Sequence, residues 1–171
     1  LEVDMKFLPV FLKLTDRPCL VVGGGEVALR KVRALLRSGA RVTVLSPHLV
    51  SGLEALRGEG QICHRPARFC PTDLEGFHLV ISATDQRAVN EAVQAAAEAR
   101  CLPVNVVDSP DLCSFIFPAI IDRSPVVLAI STGGASPVLA RILKSRLETL
   151  IPSGYGRLAE LAERFRFRVR K

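Results

Sequence analysis

Short apolar runs and amphipathic stretches alternate along the first two-thirds of the chain. Pro18–Val22 (PCLVV), Arg41–Leu45 (RVTVL) and His78–Thr84 (HLVISAT) are brief, apolar and rich in β-branched residues, so each predicts a buried strand. Gln61–Arg65 (QICHR) is a weaker strand, and Leu102–Val107 (LPVNVV) closes the series. Between the strands the period changes. Val27, Leu29, Val32, Leu35 and Leu36 fall on one stripe of a helix over Val27–Ser38, and Gly39 is placed to stop it. Leu53–Arg57 reads as a short helical piece. Gln86–Arg100 reads as an alanine-rich helix with Asp85 in the N-cap position. Strands alternating with helices predict βαβ units and a parallel sheet.

Pro110 and Pro118 break this rhythm. Beyond them, IFPAIIDRSPVVLAIST holds two apolar runs separated by Asp122–Pro125, read as two further strands and a turn. Ser136–Leu150 reads as a helix, with Ser136 as its cap and Pro137 at its first position. A last basic helix starts at about Tyr155. The expected architecture is therefore α/β: a Rossmann-type parallel sheet over residues 5–113, a small α+β segment over 114–150, and a short helical tail over 151–171.

One turn carries the chemistry. Gly23-x-Gly25-x-x-Ala28 follows a strand and opens a helix, the context a dinucleotide fingerprint requires. The first glycine permits the tight turn, Gly25 lets the backbone approach a pyrophosphate, and Ala28 lets helix and strand pack closely. The helix N-terminus offers free N–H groups and the positive end of its dipole. The acidic residue that usually binds the ribose about 20 residues later is missing: the second strand ends Leu45-Ser46-Pro47-His48. No arginine stands there for a 2′-phosphate either. The ribose is left to backbone groups, the Ser46 hydroxyl or His48, and NAD is favoured over NADP.

Ligands of an open parallel sheet sit beyond the carboxyl ends of its strands. Small residues after the fourth strand, through Thr84, allow a cofactor to come close. Asp85 is assigned to capping. Asp108, at the end of NVVD, is either a proton acceptor or a turn-forming aspartate before Ser-Pro, and spacing alone does not choose. Cys63 and His64 point to opposite faces of a strand and make a poor metal pair, so no stable metal site is expected. STGGASP, Ser131–Pro137, is a second glycine turn before a helix; it suits either an anion site or an ordinary capped connection.

Composition narrows the choice. Of 171 residues, 49% are hydrophobic and 23% charged, which supports a sizeable core and argues against disorder. No apolar run reaches the roughly 18 residues of a membrane span. LEVDMKF lacks the basic start and apolar run of a signal peptide, and Met5 is the expected start. Five cysteines with no CxxC pair suggest buried thiols of a cytoplasmic protein rather than disulfides or a zinc finger. The net charge of +6 is partly a crowding of Arg164, Arg166, Arg168, Arg170 and Lys171 in the tail. No nucleic-acid motif accompanies it and aromatic residues are only 5%, so an anionic small molecule is the expected partner, not nucleic acid.

With these residues assembled, FLPVFLKLTDRPCLVVGGGEVALRK and NVVDSPDLCSFIFPAIIDRSPVVLAISTGGASPVLAR resemble the dehydrogenase–ferrochelatase part of siroheme synthase, from about Phe7 to Pro152. The resemblance implies NAD⁺-dependent oxidation of precorrin-2 to sirohydrochlorin, followed by Fe²⁺ insertion to give siroheme. It implies that Asp108 serves both steps. It puts NAD contacts on Gly24, Gly25, Glu26 and Val27 and on Pro47 and His48. It also implies a homodimer with an intertwined second domain near STGGASP, where Ser131, Thr132, Gly133 and Ser136 become candidate substrate contacts. Relatives often carry serine where Thr132 stands, and the hydroxyl survives. The methyltransferase domain of the fused enzymes is not expected within these residues, and the tail is expected to be shorter than the family's and incomplete. A non-catalytic NAD-sensing module is the main rival; a basic nucleic-acid-binding protein rests on charge alone.

Overall fold

A computed structural model describes residues 5–169, with side chains through 166. The chain forms two compact units: residues 7–116, and residues 117 onward together with residues 5 and 6.

In the first unit five parallel strands lie in the order β3-β2-β1-β4-β5. They are β1 (Pro18–Val22), β2 (Arg41–Leu45), β3 (Ile62–Arg65), β4 (Leu79–Ser82) and β5 (Val104–Val106). The order reverses between β1 and β4, so the crevice where ligands gather opens at the carboxyl ends of these two strands. Strand alternation assigns the two faces. Leu20 and Val22 join Leu45, Val80, Val104 and Val106 in one apolar cluster with Val93, Ala96 and Ala97 of α3 (Arg87–Glu98). Cys19 and Val21, on the other face, are fully buried on the side of α1 (Glu26–Arg37), which buries Ala28, Leu29, Val32 and Leu35. Leu29, Val32 and Leu35 of α1 are buried as the pattern predicted, whereas Val27 and Leu36 are only half-buried and Ala28 completes the stripe. Its end is a Schellman turn: Gly39, at φ 75°, donates to the Leu36 carbonyl while Ala40 donates to that of Leu35. Helix α2 (Ser51–Gly58) extends beyond the predicted piece Leu53–Arg57 at both ends, and 3₁₀ turns form at Pro71–Leu74 and Pro110–Leu112.

Two expectations are corrected. Asp85 does not cap α3; Gln86 occupies the N-cap position and no side chain caps it. Thr84 organises this turn instead, its hydroxyl accepting from the Gln86 amide at 3.2 Å. Nor are the cysteines uniformly buried. Cys19 is, but Cys63, Cys70 and Cys101 are exposed and Cys113 is half-buried, all with free thiols. Cys63 lies on the edge strand β3, Cys70 precedes a 3₁₀ turn, and Cys101 adopts a left-handed conformation just after α3, so none lies where apolar packing would enclose it.

In the second unit β6 (Ala119–Arg123) and β7 (Val126–Ile130) pair antiparallel, as the two apolar runs predicted. Helix α4 (Pro137–Leu150) packs on both strands and α5 (Gly154–Val169) on β7. The Ser136 hydroxyl accepts from the Leu139 amide at 3.1 Å, the expected cap. Of the basic tail, Arg168, Arg170 and Lys171 lie outside the described side chains. No helix among the described residues is long and apolar enough to cross a membrane.

Candidate functional site

The three glycines do different work. Gly23 adopts φ 118°, and a Cβ there would press into the Ala83 carbonyl, so it joins β1 closely to β4. A Cβ on Gly24 would strike the His48 carbonyl and come within 2.7 Å of the Ser46 hydroxyl. Gly24 is tied to the same loop by the Val50 amide, which donates to its carbonyl at 2.9 Å. Gly25 is the opposite case. It is the N-cap of α1, no side chain caps the helix, and a Cβ built there meets nothing within 4 Å. Gly23 and Gly24 thus hold the turn in shape, while Gly25 faces open space at a helix N-terminus.

That space is an open cavity of about 1080 Å³ at the carboxyl ends of the strands. It gathers Gly23, Gly24, Gly25, Glu26 and Val27 with Ser46, Pro47 and His48 just beyond β2, Thr84 beyond β4, and Asp108 beyond β5. Residues far apart in sequence therefore line one cavity, including every cofactor candidate and Asp108. Ser131, Thr132, Gly133 and Ser136 belong to the second unit and form a self-bonded turn. Thr132 Oγ1 donates to the Ser136 carbonyl and accepts its amide, both at 3.1 Å, and Ser131 Oγ accepts from the Gly133 amide at 3.0 Å.

Several hydroxyls near the cavity are already engaged. Ser46, only 9% exposed, donates to the His48 carbonyl at 2.8 Å, and its own carbonyl lies 2.9 Å from His64 Nε2. Its hydroxyl braces the loop, so a ribose would meet it only as an acceptor. Thr84 is held by a residue that sequence reasoning missed. Buried Asn90 accepts from Thr84 Oγ1 at 2.9 Å and from Ser82 Oγ at 2.7 Å, and donates to the Thr84 carbonyl at 3.2 Å. The signal was present: Asn90 is a polar residue on the stripe of α3 that also buries Val93 and Ala97.

Asp108 is exposed at the cavity rim with φ 58°, a left-handed conformation that aspartate and asparagine tolerate better than most residues. Its loop is clasped around Cys113. That sulfur accepts from the Val106 amide at 3.2 Å and approaches the carbonyls of Val106 at 3.1 Å and Ser109 at 3.3 Å. Burial pushes the Cys113 thiol pKa up. Lys31, one turn beyond Val27 on the same face of α1, is a second missed residue. Burial and then Arg30 lower its pKa, against the raising influence of the charges of Cys113 and Asp108. A basic residue thus sits within electrostatic reach of the Asp108 loop.

A third residue that sequence reasoning passed over is an arginine beyond β3. Arg68, three residues beyond β3, lines the same cavity between Ala67 and Phe69. Nothing in residue order links Arg68 to this cavity, because β3 comes beside β2 only in the folded sheet. Among the described residues no group of three or more His, Cys, Asp or Glu side chains could hold a metal ion.

The strand order, the glycine turn and the open helix N-terminus define a dinucleotide-binding Rossmann domain, and the residues present fit that cofactor. Residues 10–119 match the family model described as putative NAD(P)-binding, and residues 123–150 match the model of the sirohaem biosynthesis protein central region. The structure resembles that of SirC, precorrin-2 dehydrogenase, with a TM-score of 0.78 and 31% identity, covering 90% of this chain and 76% of that one. The siroheme synthase of Methylococcus capsulatus is 60% identical over 167 residues, 98% of this chain and 35% of its own length. That of Nitrosomonas europaea is 55% identical over 168 residues, 98% of this chain and again 35% of its own. The chain belongs to the siroheme synthase and precorrin-2 dehydrogenase family, and it spans about a third of the length of the siroheme synthases it matches.

Proposed function

We propose that this chain oxidises precorrin-2 to sirohydrochlorin with NAD⁺. The observation that carries the reading is that Asp108 lines the same cavity as the glycine turn, across the β1/β4 crevice from the adenosine side. A carboxylate at that rim can take a proton while a nicotinamide held along the crevice accepts a hydride. The amides at the start of α1 and the dipole behind them would hold the pyrophosphate, with Gly25 leaving the approach clear. Glu26, Val27, Pro47, His48 and Thr84 would shape the cofactor cleft. Asn90 and Cys113 position the turns that carry Thr84 and Asp108. The net charge of +6 favours a polycarboxylate tetrapyrrole. Fe²⁺ insertion is a further proposed step, with Asp108 assisting loss of the pyrrole protons. Ser131, Thr132, Gly133 and Ser136 are proposed to meet the tetrapyrrole in the assembled homodimer. Exposed Val138, Leu139 and Ile142 of α4 support such an assembly. Three exposed free thiols suit the reducing cytoplasm.

Anaerobic precorrin-2 mixed with NAD⁺ and followed by absorbance tests the first step, and Fe²⁺ added afterwards tests the second. Tight NAD binding with no oxidation would favour the non-catalytic sensor instead.

A further inference from the structure

The end of β4 carries a closed hydrogen-bond network. Asn90 is 7% exposed, lies in the first turn of α3 and lines the cavity. Its Nδ2 donates to the Thr84 carbonyl at 3.2 Å. A carbonyl only accepts, so this contact fixes which end of the amide is nitrogen. Oδ1 therefore faces the hydroxyls of Ser82 at 2.7 Å and Thr84 at 2.9 Å, and both must donate to it. Ser82 is fully buried, which anchors the network in the sheet. The Thr84 oxygen accepts from the Gln86 amide at 3.2 Å. The other group near its proton, the Gln86 carbonyl at 3.3 Å, also only accepts. The single Thr84 proton is thus spent within the protein, and one lone pair of Oγ1 is left for a ligand. β4 lies on the side of β1 away from β2. A dinucleotide with its adenosine ribose at the end of β2 and its pyrophosphate on α1 therefore brings its nicotinamide half to the end of β4. The ribose hydroxyls of that half can donate.

We propose that Asn90 is a positioning residue for the cofactor, holding Thr84 as a hydrogen-bond acceptor for a ribose hydroxyl of the nicotinamide half. The inference rests on the dinucleotide reading of the cavity. A hydroxyl free to turn offers a proton or a lone pair alike, whereas one locked as an acceptor selects a ligand group that donates. Asn90 does this twice over: it takes the Thr84 proton, and it fixes the carbonyl of the same residue, so the lone pair keeps its direction. A neutral hydrogen bond of this kind contributes about fivefold in affinity.

The test is calorimetric titration of the intact chain with NAD⁺, ADP-ribose and AMP. ADP-ribose keeps the second ribose without the nicotinamide, and AMP keeps only the adenosine half. Thr84→Val removes the hydroxyl but keeps the side chain's shape. It should weaken NAD⁺ and ADP-ribose about fivefold while AMP changes less than about twofold. Thr84→Ser, which retains the hydroxyl, should bind all three as the parent does. Asn90→Ala should reproduce the Thr84→Val pattern. The double variant should lose no more than about twofold beyond the weaker single variant, because members of one network are not additive. Asn90→Asp keeps the two accepted protons but not the bond to the Thr84 carbonyl; it should show the same pattern and stands in for Asn90→Ala if that protein does not fold. Parent-like NAD⁺ binding by Thr84→Val or by either Asn90 variant would overturn the proposal while leaving the cofactor site standing. So would an equal loss of AMP, or losses that multiply in the double variant. A parent chain that binds neither NAD⁺ nor ADP-ribose would overturn both.

Discussion

At the scale of single residues the glycine turn separates structure from function. Gly25→Asp adds a side chain where nothing lies within 4 Å, and aspartate is a good N-cap for α1. The variant should fold with an unchanged or slightly higher melting temperature and lose NAD binding at least a hundredfold, read by calorimetry and thermal denaturation together. Gly24→Ala should do the reverse first: its methyl strikes the His48 carbonyl, so stability falls before binding can be measured. Asp108 needs a similar distinction. At φ 58° an alanine costs about 1 kcal/mol of backbone strain, whereas asparagine keeps both shape and tolerance of the left-handed region. Asp108→Asn is therefore the cleaner probe. It should bind NAD normally and slow precorrin-2 oxidation about 10²–10⁴-fold, as loss of a positioned base does. An Asp108→Asn protein oxidising at the parent rate would reduce Asp108 to a turn residue.

At the scale of elements the decisive features are how helices and loops seat against the sheet. Leu35 of α1 is 2% exposed, and Leu35→Ala should destabilise the first unit by about 2–5 kcal/mol in urea unfolding. Thiol chemistry reports the same packing. Burial pushes the Cys19 pKa up to about 11, so almost no thiolate forms at pH 8 and the residue should stay unlabelled in the native protein. Cys70 is exposed and its pKa is lowered by its hydrogen bond from Thr72, so it should react ahead of half-buried Cys113, whose pKa is raised by burial. Timed alkylation and mass spectrometry would reveal the order; Cys19 reacting as fast as Cys70 would contradict the burial of β1.

At the scale of the whole molecule the proposed homodimer rests on the second unit. Leu139 and Ile142 are both 46% exposed, one turn apart on α4. The chain should sediment as a dimer at micromolar concentration, and the pair Leu139→Glu and Ile142→Glu should convert it to monomer with little loss of helicity. A monomeric parent chain would remove this assembly.

Much of this was legible in order along the chain. Buried strands announced themselves as short β-branched runs, and α1 by its apolar stripe, because burial on a sheet face or helix stripe imposes a period on sequence. The Ser136 cap and the Gly39 stop were readable for the same local reason: a hydroxyl or a left-handed glycine solves a problem within a few residues. Asp85 was misread because the helix begins one residue later than its pattern suggests: Gln86 takes the N-cap position uncapped, while Thr84, held by Asn90, accepts from the Gln86 amide in the turn before it. Cys63, Cys70 and Cys101 were misread because composition does not say which face of the fold a thiol will meet.

What the sequence by itself determined is therefore the α/β alternation, the dinucleotide turn and the candidates Gly25 and Asp108, all expressed by spacing within one or two elements. Only the tertiary structure decided that Gly24 is a packing residue and that Asp108 lines the same cavity as Gly25. Each of those depends on which strands lie side by side, and strand order is set by long-range pairing and crossover packing, which leave no periodic mark in the chain.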